Sequence, residues 1–300
     1  MRKQSASSTA ASGNRNRIGR IAILLVAGLV VIGWLFFTNT PPSYTLDGQG
    51  FVVLTCPVPT VREEILRTDG NVTLSRIVYS SGDQDVFALL AAPGKPNNAI
   101  VLVPGAGVRK EAHAQRAMAY ARAGIATLVL DTRGNGGETP GPGSQIQEDY
   151  QKFRNGVWPV WYRTGCDIIG ARSYLEGKFH TNIYAMGESN GGRVAVFAVA
   201  SDPHFTGYIG VSTAGFDRYG HTVGGDAGVF IKSMDPDRLI HRISPRPVWI
   251  LHAPADTFIP IADGIRLYEN AGEPREFINF SGTHGINDTV DAWVIRTFGL

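Results

Sequence analysis

Ile183-Tyr184-Ala185-Met186-Gly187-Glu188-Ser189-Asn190-Gly191-Gly192-Arg193 is a short apolar run that meets a G-x-S-x-G pentapeptide and continues into a helix-like stretch. Such a pentapeptide marks a nucleophile elbow only where a strand turns directly into a helix, and that is the setting here. The reason is crowding. A chain that reverses so sharply holds its central serine in a strained backbone conformation, and the flanking positions must lack a Cβ. The serine hydroxyl then stands at the head of a helix, where unpaired backbone N–H groups can hold an anion. Serines between glycines also occur by chance, and Ser189 alone reads equally well as a helix N-cap. The rest of the sequence decides between the two.

From residue 71 onward, β-rich and helix-like segments alternate, the pattern of an α/β layer architecture with a mostly parallel central sheet flanked by helices. Val72 to Tyr79 and Val86 to Ala91 flank Ser80-Ser81-Gly82-Asp83, a hairpin signal. Ala99 to Val103 and Ala126 to Leu130 are short apolar runs, as buried strands should be. Between them, Val108 to Ala123 has helical spacing and stops at Gly124. A Gly-, Pro- and aromatic-rich stretch spans 132–164, followed by a helix near 167–177 and another over 190–201 behind the elbow. Tyr208 to Val211, Val248 to Leu251 and Phe277 to Phe280 supply further strands. Upstream, Thr60-Val61-Arg62-Glu63 has the form of a capping box for a short helix.

The 300 residues, with 43% apolar and 18% charged side chains, suit one well-buried domain plus an appendage. The appendage is N-terminal. Residues 1–20 carry Arg2, Lys3, Arg15, Arg17 and Arg20, no acidic residue, and many small polar ones, as a disordered basic tail does. Ile21 to Phe37 follows without a charge, and at 1.5 Å per residue it spans roughly 26 Å as a helix, enough to cross a membrane once Arg20 snorkels. Thr38-Asn39-Thr40-Pro41 offers no A-x-A-like cleavage site, so the expectation is a transmembrane anchor rather than a secreted protein freed by signal cleavage. The positive-inside rule places the tail in the cytoplasm and the large domain outside. The expected division is therefore a tail over 1–20, an anchor over 21–37, a tether and N-terminal extension over 38–70, and the main domain over 71–300.

Without the five tail cations the chain has 23 basic against 26 acidic residues, a balance that does not suit nucleic acid. Cys56 and Cys166 read as two buried thiols, with one disulfide in an oxidising compartment as the alternative. Asn71-Val72-Thr73 and Asn287-Asp288-Thr289 match the glycosylation sequon.

A serine nucleophile needs a base to take its proton and a third group to orient that base. In α/β sheets these groups lie just beyond the carboxyl ends of strands. Val248-Trp249-Ile250-Leu251 is followed by His252-Ala253-Pro254-Ala255-Asp256-Thr257-Phe258-Ile259-Pro260, and Phe277-Ile278-Asn279-Phe280 by Ser281-Gly282-Thr283-His284-Gly285. The order Ser189, Asp256, His284 is that of a hydrolase elbow. Asp263 and Asp288 compete with Asp256 and are expected to cap helices instead. His252, four residues before Asp256, is expected to be structural, as is Glu188, whose side chain should point away from the nucleophile.

On these residues the segment 71–300 resembles the α/β-hydrolase superfamily, and its short lid is similar to that of dienelactone-hydrolase-like serine esterases. The Asp256 loop resembles the family's His-Gly-x-x-Asp-x-x-Val-Pro acid loop, and Thr283-His284-Gly285 its histidine turn. Asp131-Thr132-Arg133-Gly134-Asn135-Gly136 resembles an Asp-x-Arg-Gly-x-Gly segment that shapes the site without doing chemistry. Val103-Pro104-Gly105-Ala106-Gly107 lies where the family has His-Gly-x-x, with proline in place of histidine. The resemblance implies oxyanion donors at the backbone N–H groups of Asn190 and Ala106. It implies ester hydrolysis through an acyl-enzyme on Ser189, with no cofactor and no metal.

Other chemistries fit less well. Gly105-Ala106-Gly107-Val108-Arg109-Lys110 starts like a dinucleotide fingerprint but has Lys110 at the third glycine position, and neither a P-loop nor an H-E-x-x-H string exists. Trp158, Trp161, Tyr162 and Phe153 crowd one connection; they read as local packing, with Trp158 and Trp161 as candidate substrate contacts. The stretch from Thr213 to Pro247 is too short for the helical lid of a long-chain lipase. The alternatives are an exopeptidase, amidase or acyltransferase on the same triad, or a membrane-tethered binding protein that kept the fold and lost the reaction.

Overall fold

The computed structural model describes residues 43–82, 84–217 and 222–299. The basic tail and the anchor expected over 21–37 lie outside these residues; among the described residues no helix is long and apolar enough to cross a membrane.

Strands β3 (Val61–Asp69), β4 (Val72–Ser81), β5 (Gln84–Pro93), β6 (Asn98–Val103), β7 (Ile125–Leu130), β8 (Asn182–Glu188), β9 (Gly207–Val211), β10 (Val248–His252) and β11 (Arg275–Asn279) form one nine-stranded sheet in the order β11-β10-β9-β8-β6-β7-β5-β4-β3. The strands from β11 to β7 are mutually parallel, and β5, β4 and β3 add antiparallel pairs at one edge. Every residue of β7 is buried, and all of β6 beyond Asn98. That is why these two strands read as unbroken apolar runs: parallel strands with helices on both faces have no solvent side. The β4–β5 hairpin pairs Ser81 with Gln84, as its turn signal predicts.

Two hydrophobic clusters fill the two faces. One holds Tyr79, Leu90, Tyr162, Phe197 and Tyr208, with helices α3 (Val160–Phe179) and α4 (Asn190–Ser201) packed on it. The other holds Ile100, Leu102, Met186, Ile209 and Trp293, beneath α1 (Ala114–Arg122) and α8 (Asp288–Phe298). Burying each such side chain contributes roughly 1.5–3 kcal/mol relative to exposing it. Helix α3 begins well before residue 167, and Asp149 explains its start: its carboxylate accepts from the Val160 and Trp161 N–H groups at 2.7 and 3.1 Å. Asp149 lies in α2 (Ile146–Arg154), a nine-residue helix inside the Gly- and Pro-rich stretch. The cap comes from another element, so no local signal marks it.

The N-terminal region departs most from expectation. Residues 60–63 form no helix but enter β3, which pairs with β4 from Val61↔Tyr79 to Asp69↔Val72. Non-local pairing outweighs the local capping signal, and the charged, bulged sequence suits an exposed edge strand. Part of the expected tether is also ordered: β1 (Ser43–Leu46) pairs with β2 (Val52–Thr55), and the Tyr44 ring lies 4.9 Å from that of Tyr162. These strands belong to the same compact unit as the sheet, Pro42–Leu300.

Cys56 and Cys166 are bonded to each other, not two thiols, and are separated by 110 residues in sequence. The bond staples the segment after β2 to the middle of α3, which cysteine spacing alone could not reveal. Closing so long a loop removes much of the unfolded chain's freedom. Reduction, or a Cys56→Ser/Cys166→Ser double variant, should lower unfolding free energy by about 2–4 kcal/mol, measured by urea titration with and without reductant.

Candidate active site

Ser189 stands between β8 and α4 with φ 53° and ψ −122°, in the left-handed half of backbone space that a serine seldom occupies. Its N–H donates to Val211 O at 2.9 Å, and its carbonyl accepts from Thr213 Oγ1 at 2.8 Å, so the turn is tied on both sides to the end of β9. A Cβ on Gly187 would lie 2.4 Å from Gly192 Cα, and one on Gly191 would lie 2.3 Å from the Val103 and Pro104 carbonyl oxygens. Both glycines of the pentapeptide are thus demanded by close backbone approach.

Asp256 and His284 follow β10 and β11, and the fold brings them together: His284 Nδ1 lies 2.8 Å from Asp256 Oδ2 and 3.1 Å from Oδ1. A carboxylate only accepts, so Nδ1 carries the proton and Nε2 is left as the basic nitrogen. Asp256 Oδ1 also accepts from the Phe258 and Ile259 N–H groups at 2.9 and 3.0 Å. Burial pushes the Asp256 carboxyl upward, but the Ile259 N–H, His284 and the Phe258 N–H outweigh it and hold it below the usual aspartate value. Asp263 instead pairs with Arg266 at 3.0 Å, and Asp288 lies in the first turn of α8.

The His284 turn is tied to the backbone around Ser189. Gly285 N–H donates to Ser212 Oγ at 3.0 Å, and Ile286 N–H to Glu188 Oε1 at 2.9 Å, which joins the histidine turn to the residue preceding the serine. Among the described residues His284 hydrogen-bonds to Asp256 alone, and none of its bonds runs to Ser189 Oγ. Nucleophile–base contacts in unliganded sites are commonly long and tighten when substrate binds.

The 104–107 loop lies against the elbow: a Cβ on Gly105 would be 3.4 Å from Ser189 Cβ. Asn135 holds this loop, its Nδ2 donating to Gly105 O and Val108 O at 2.9 and 2.8 Å while its Oδ1 accepts from Gly107 N–H at 3.0 Å. Among the described residues no acceptor takes the Ala106 amide, and Asn190 opens α4, where the first amides have no intrahelical acceptor. Behind the loop, buried Lys110 lies 3.3 Å from Asp131 Oδ2 and 2.8 Å from Glu138. Arg133 forms a two-pronged pair with Asp167 at 2.6 and 2.9 Å. Within the Asp131–Gly136 segment it is Asn135 that holds the loop beside Ser189.

His252 is fully buried and donates from Nε2 to Ile259 O at 2.9 Å, with Asp256 Oδ2 at 3.5 Å; it buttresses the acid loop. Trp161 is 4% exposed and edge-on to Phe216. Trp158 packs on Tyr44 and lines a cleft of ≈ 280 Å³ with Arg133, Lys152 and Val157, a lining that includes none of Ser189, Asp256 and His284. Phe258 was not legible in advance: it is 80% exposed, with its ring 5.1 Å from that of His284. Glu188 was read as structural; burial pushes its carboxyl upward, but His113 and the Ile286 N–H outweigh this and lower it. Among the described residues no group of His, Cys, Asp and Glu forms a metal-ligand set.

No family model matches the sequence, and no curated protein does. Solved structures match the fold. An acetyl xylan esterase from Paenibacillus sp. R4 superposes with a TM-score of 0.64 at 16% identity, over 80% of this chain and 88% of that one. A glucuronoyl esterase from Solibacter usitatus gives 0.56 at 15%, over 79% and 85%. A cold-adapted esterase from an Arctic intertidal metagenomic library gives 0.54 at 16%, over 79% and 97%. With its parallel sheet and strand–turn–helix serine, the chain has the α/β-hydrolase fold.

The lowered Asp256 carboxyl has a thermodynamic consequence. A group whose folded pKa is depressed stabilises the fold fully above its unfolded value of about 4 and loses that contribution as pH falls through the folded value. Unfolding free energy should therefore drop between about pH 5 and 3, and more shallowly in Asp256→Asn. Urea titrations across that range test this; equal slopes for the two chains would contradict it.

Proposed function

We propose that the chain is a serine hydrolase that cleaves a carboxylic ester with a small or medium acyl group. The observation that carries this is the strained Ser189 at the head of α4, in one chain with a His284–Asp256 pair in hydrolase order. In this reading Ser189 Oγ attacks the ester carbonyl while His284 Nε2 takes its proton. Asp256 keeps the imidazole in the required tautomer and stabilises the imidazolium that forms. The developing oxyanion is held by the Asn190 and Ala106 amides, and His284 returns the proton to the departing alcohol. Water then attacks the acyl-enzyme and releases the acid. Three of the solved structures of like fold are named esterases, which supports the reaction class; the substrate itself is not carried over from them.

Two independent features support a location of the domain outside the cytoplasm. The run Ile21 to Phe37 behind a basic tail reads as an anchor with the domain outside the cytoplasm. The Cys56–Cys166 bond supports the same side, because disulfides persist in oxidising compartments.

Ser189→Ala should lower kcat on p-nitrophenyl acetate by about 10⁴- to 10⁶-fold with an unchanged melting temperature. Near-normal turnover in that variant would refute the assignment. A C-terminal alkaline phosphatase fusion, expressed in a bacterium, should be active because that reporter works only outside the cytoplasm; an inactive fusion of normal abundance would place the domain on the other side.

A further inference from the structure

Glu188 is the residue just before Ser189, and its side chain is only 14% exposed. A turn that needed only bulk at this position would carry no carboxylate, because a buried charge costs free energy unless its oxygens are used. Both are used. Oε1 accepts from Ile286 N–H at 2.9 Å, and Oε2 faces His113 Nε2 at 3.3 Å. The second contact is the weaker, since His113 Nε2 is too poorly aligned to count as hydrogen-bonded. Arg116 lies behind: its Nη1 is 2.5 Å from His113 Nδ1, its Nη2 donates to Ile286 O at 2.9 Å, and its Nε donates to Asp291 at 2.6 Å. A guanidinium can only donate, so His113 Nδ1 accepts and the ring's proton is on Nε2, toward Glu188.

The Oε1 bond matters because of where Ile286 lies, two residues beyond His284. The neighbouring amide, Gly285 N–H, is held by Ser212 Oγ at 3.0 Å, so two consecutive amides of the histidine turn are pinned. The fit is tight: a Cβ on Gly285 would lie 2.3 Å from Glu188 Oε1. Asp256 sets the tilt of the imidazole, but it leaves open how far the turn stands from the serine. One covalent step separates Glu188 from Ser189, and one hydrogen bond separates it from the turn.

We propose that Glu188 is a positioning residue: its carboxylate, assisted by Ser212, sets the distance between the nucleophile turn and the histidine turn. This rests on the reading of Ser189 and His284 as nucleophile and base. A misplacement of about 1 Å in such a pair costs on the order of 10²-fold in rate. Length and charge at position 188 can be separated. Glu188→Asp keeps the charge but falls one methylene short of Ile286 N–H, whereas Glu188→Gln keeps an acceptor at full length and removes the charge.

In the full chain, kcat and KM on p-nitrophenyl acetate are measured alongside the rate of Ser189 labelling by a fluorophosphonate, with melting temperature as the folding control. Glu188→Asp should lose about 10- to 100-fold in kcat and in labelling rate with KM within about twofold. Glu188→Gln should be at least tenfold more active than Glu188→Asp. Equal loss in the two variants, a greater loss in Glu188→Gln, or full activity in Glu188→Asp overturns the proposal. If Glu188→Asp does not fold, Ser212→Ala provides the second arm: a lower kcat with KM held supports the clamp, and an unchanged kcat overturns it. The two layers fail separately. A fully active Ser189→Ala removes the underlying reading, while an inactive Ser189→Ala beside a fully active Glu188→Asp removes only the positioning role.

Discussion

Between β8 and α4 there is no room for side-chain carbon at Gly187 and Gly191, each two residues from the candidate nucleophile. A Cβ on Gly187 would lie 2.4 Å from the backbone of Gly192, and one on Gly191 would lie 2.3 Å from the carbonyls of Val103 and Pro104. This crowding lets the helix start directly on the end of the strand and forces Ser189 to φ 53°. The same approach draws the 104–107 loop of the neighbouring strand against the serine. Strand order does the rest, because β9, β10 and β11 lie successively on the other side of β8 and deliver their loops to one end of the sheet.

The loops at this end of the sheet carry polar side chains that hold loop backbone, their own or a neighbour's. Asn135 bonds both sides of the 105–108 turn, Asp256 accepts two backbone amides besides His284, and Asp131 accepts from Glu138 and Thr139 N–H. A loop cannot use a regular ladder of hydrogen bonds, so its buried backbone groups must find side chains. Asn135 and Asp131, both in the Asp-x-Arg-Gly-x-Gly segment, tie loop backbone in this way. The same need explains why a carboxylate is tolerated beside the serine, since Glu188 has an amide and an imidazole to satisfy.

Much of this was legible from local pattern. The continuous apolar runs at 99–103 and 126–130, the hairpin about Gly82, and the Gly124 stop all came through, because each depends on neighbours in sequence. Ser189, Asp256 and His284 were expected just beyond strand ends, and the structure has them after β8, β10 and β11. What failed was non-local. Thr60 to Glu63 had a helix-capping pattern and became an edge strand through pairing with β4. The start of α3 depends on Asp149 in another helix, and Phe258 beside His284 has no sequence signature at all.

By itself, then, the sequence determined the alternation of strands and helices, the place of the Ser189 turn, and the strand-end positions of Asp256 and His284, because period, glycine placement and strand-end position are properties of short segments. The tertiary structure alone decided that Cys56 meets Cys166, that residues 61–69 complete the sheet, and that Glu188 reaches across to the turn beyond His284. Each of these depends on the distance between groups far apart in the chain. Such distances are set by how the sheet twists and the helices pack on it, and no local pattern contains them.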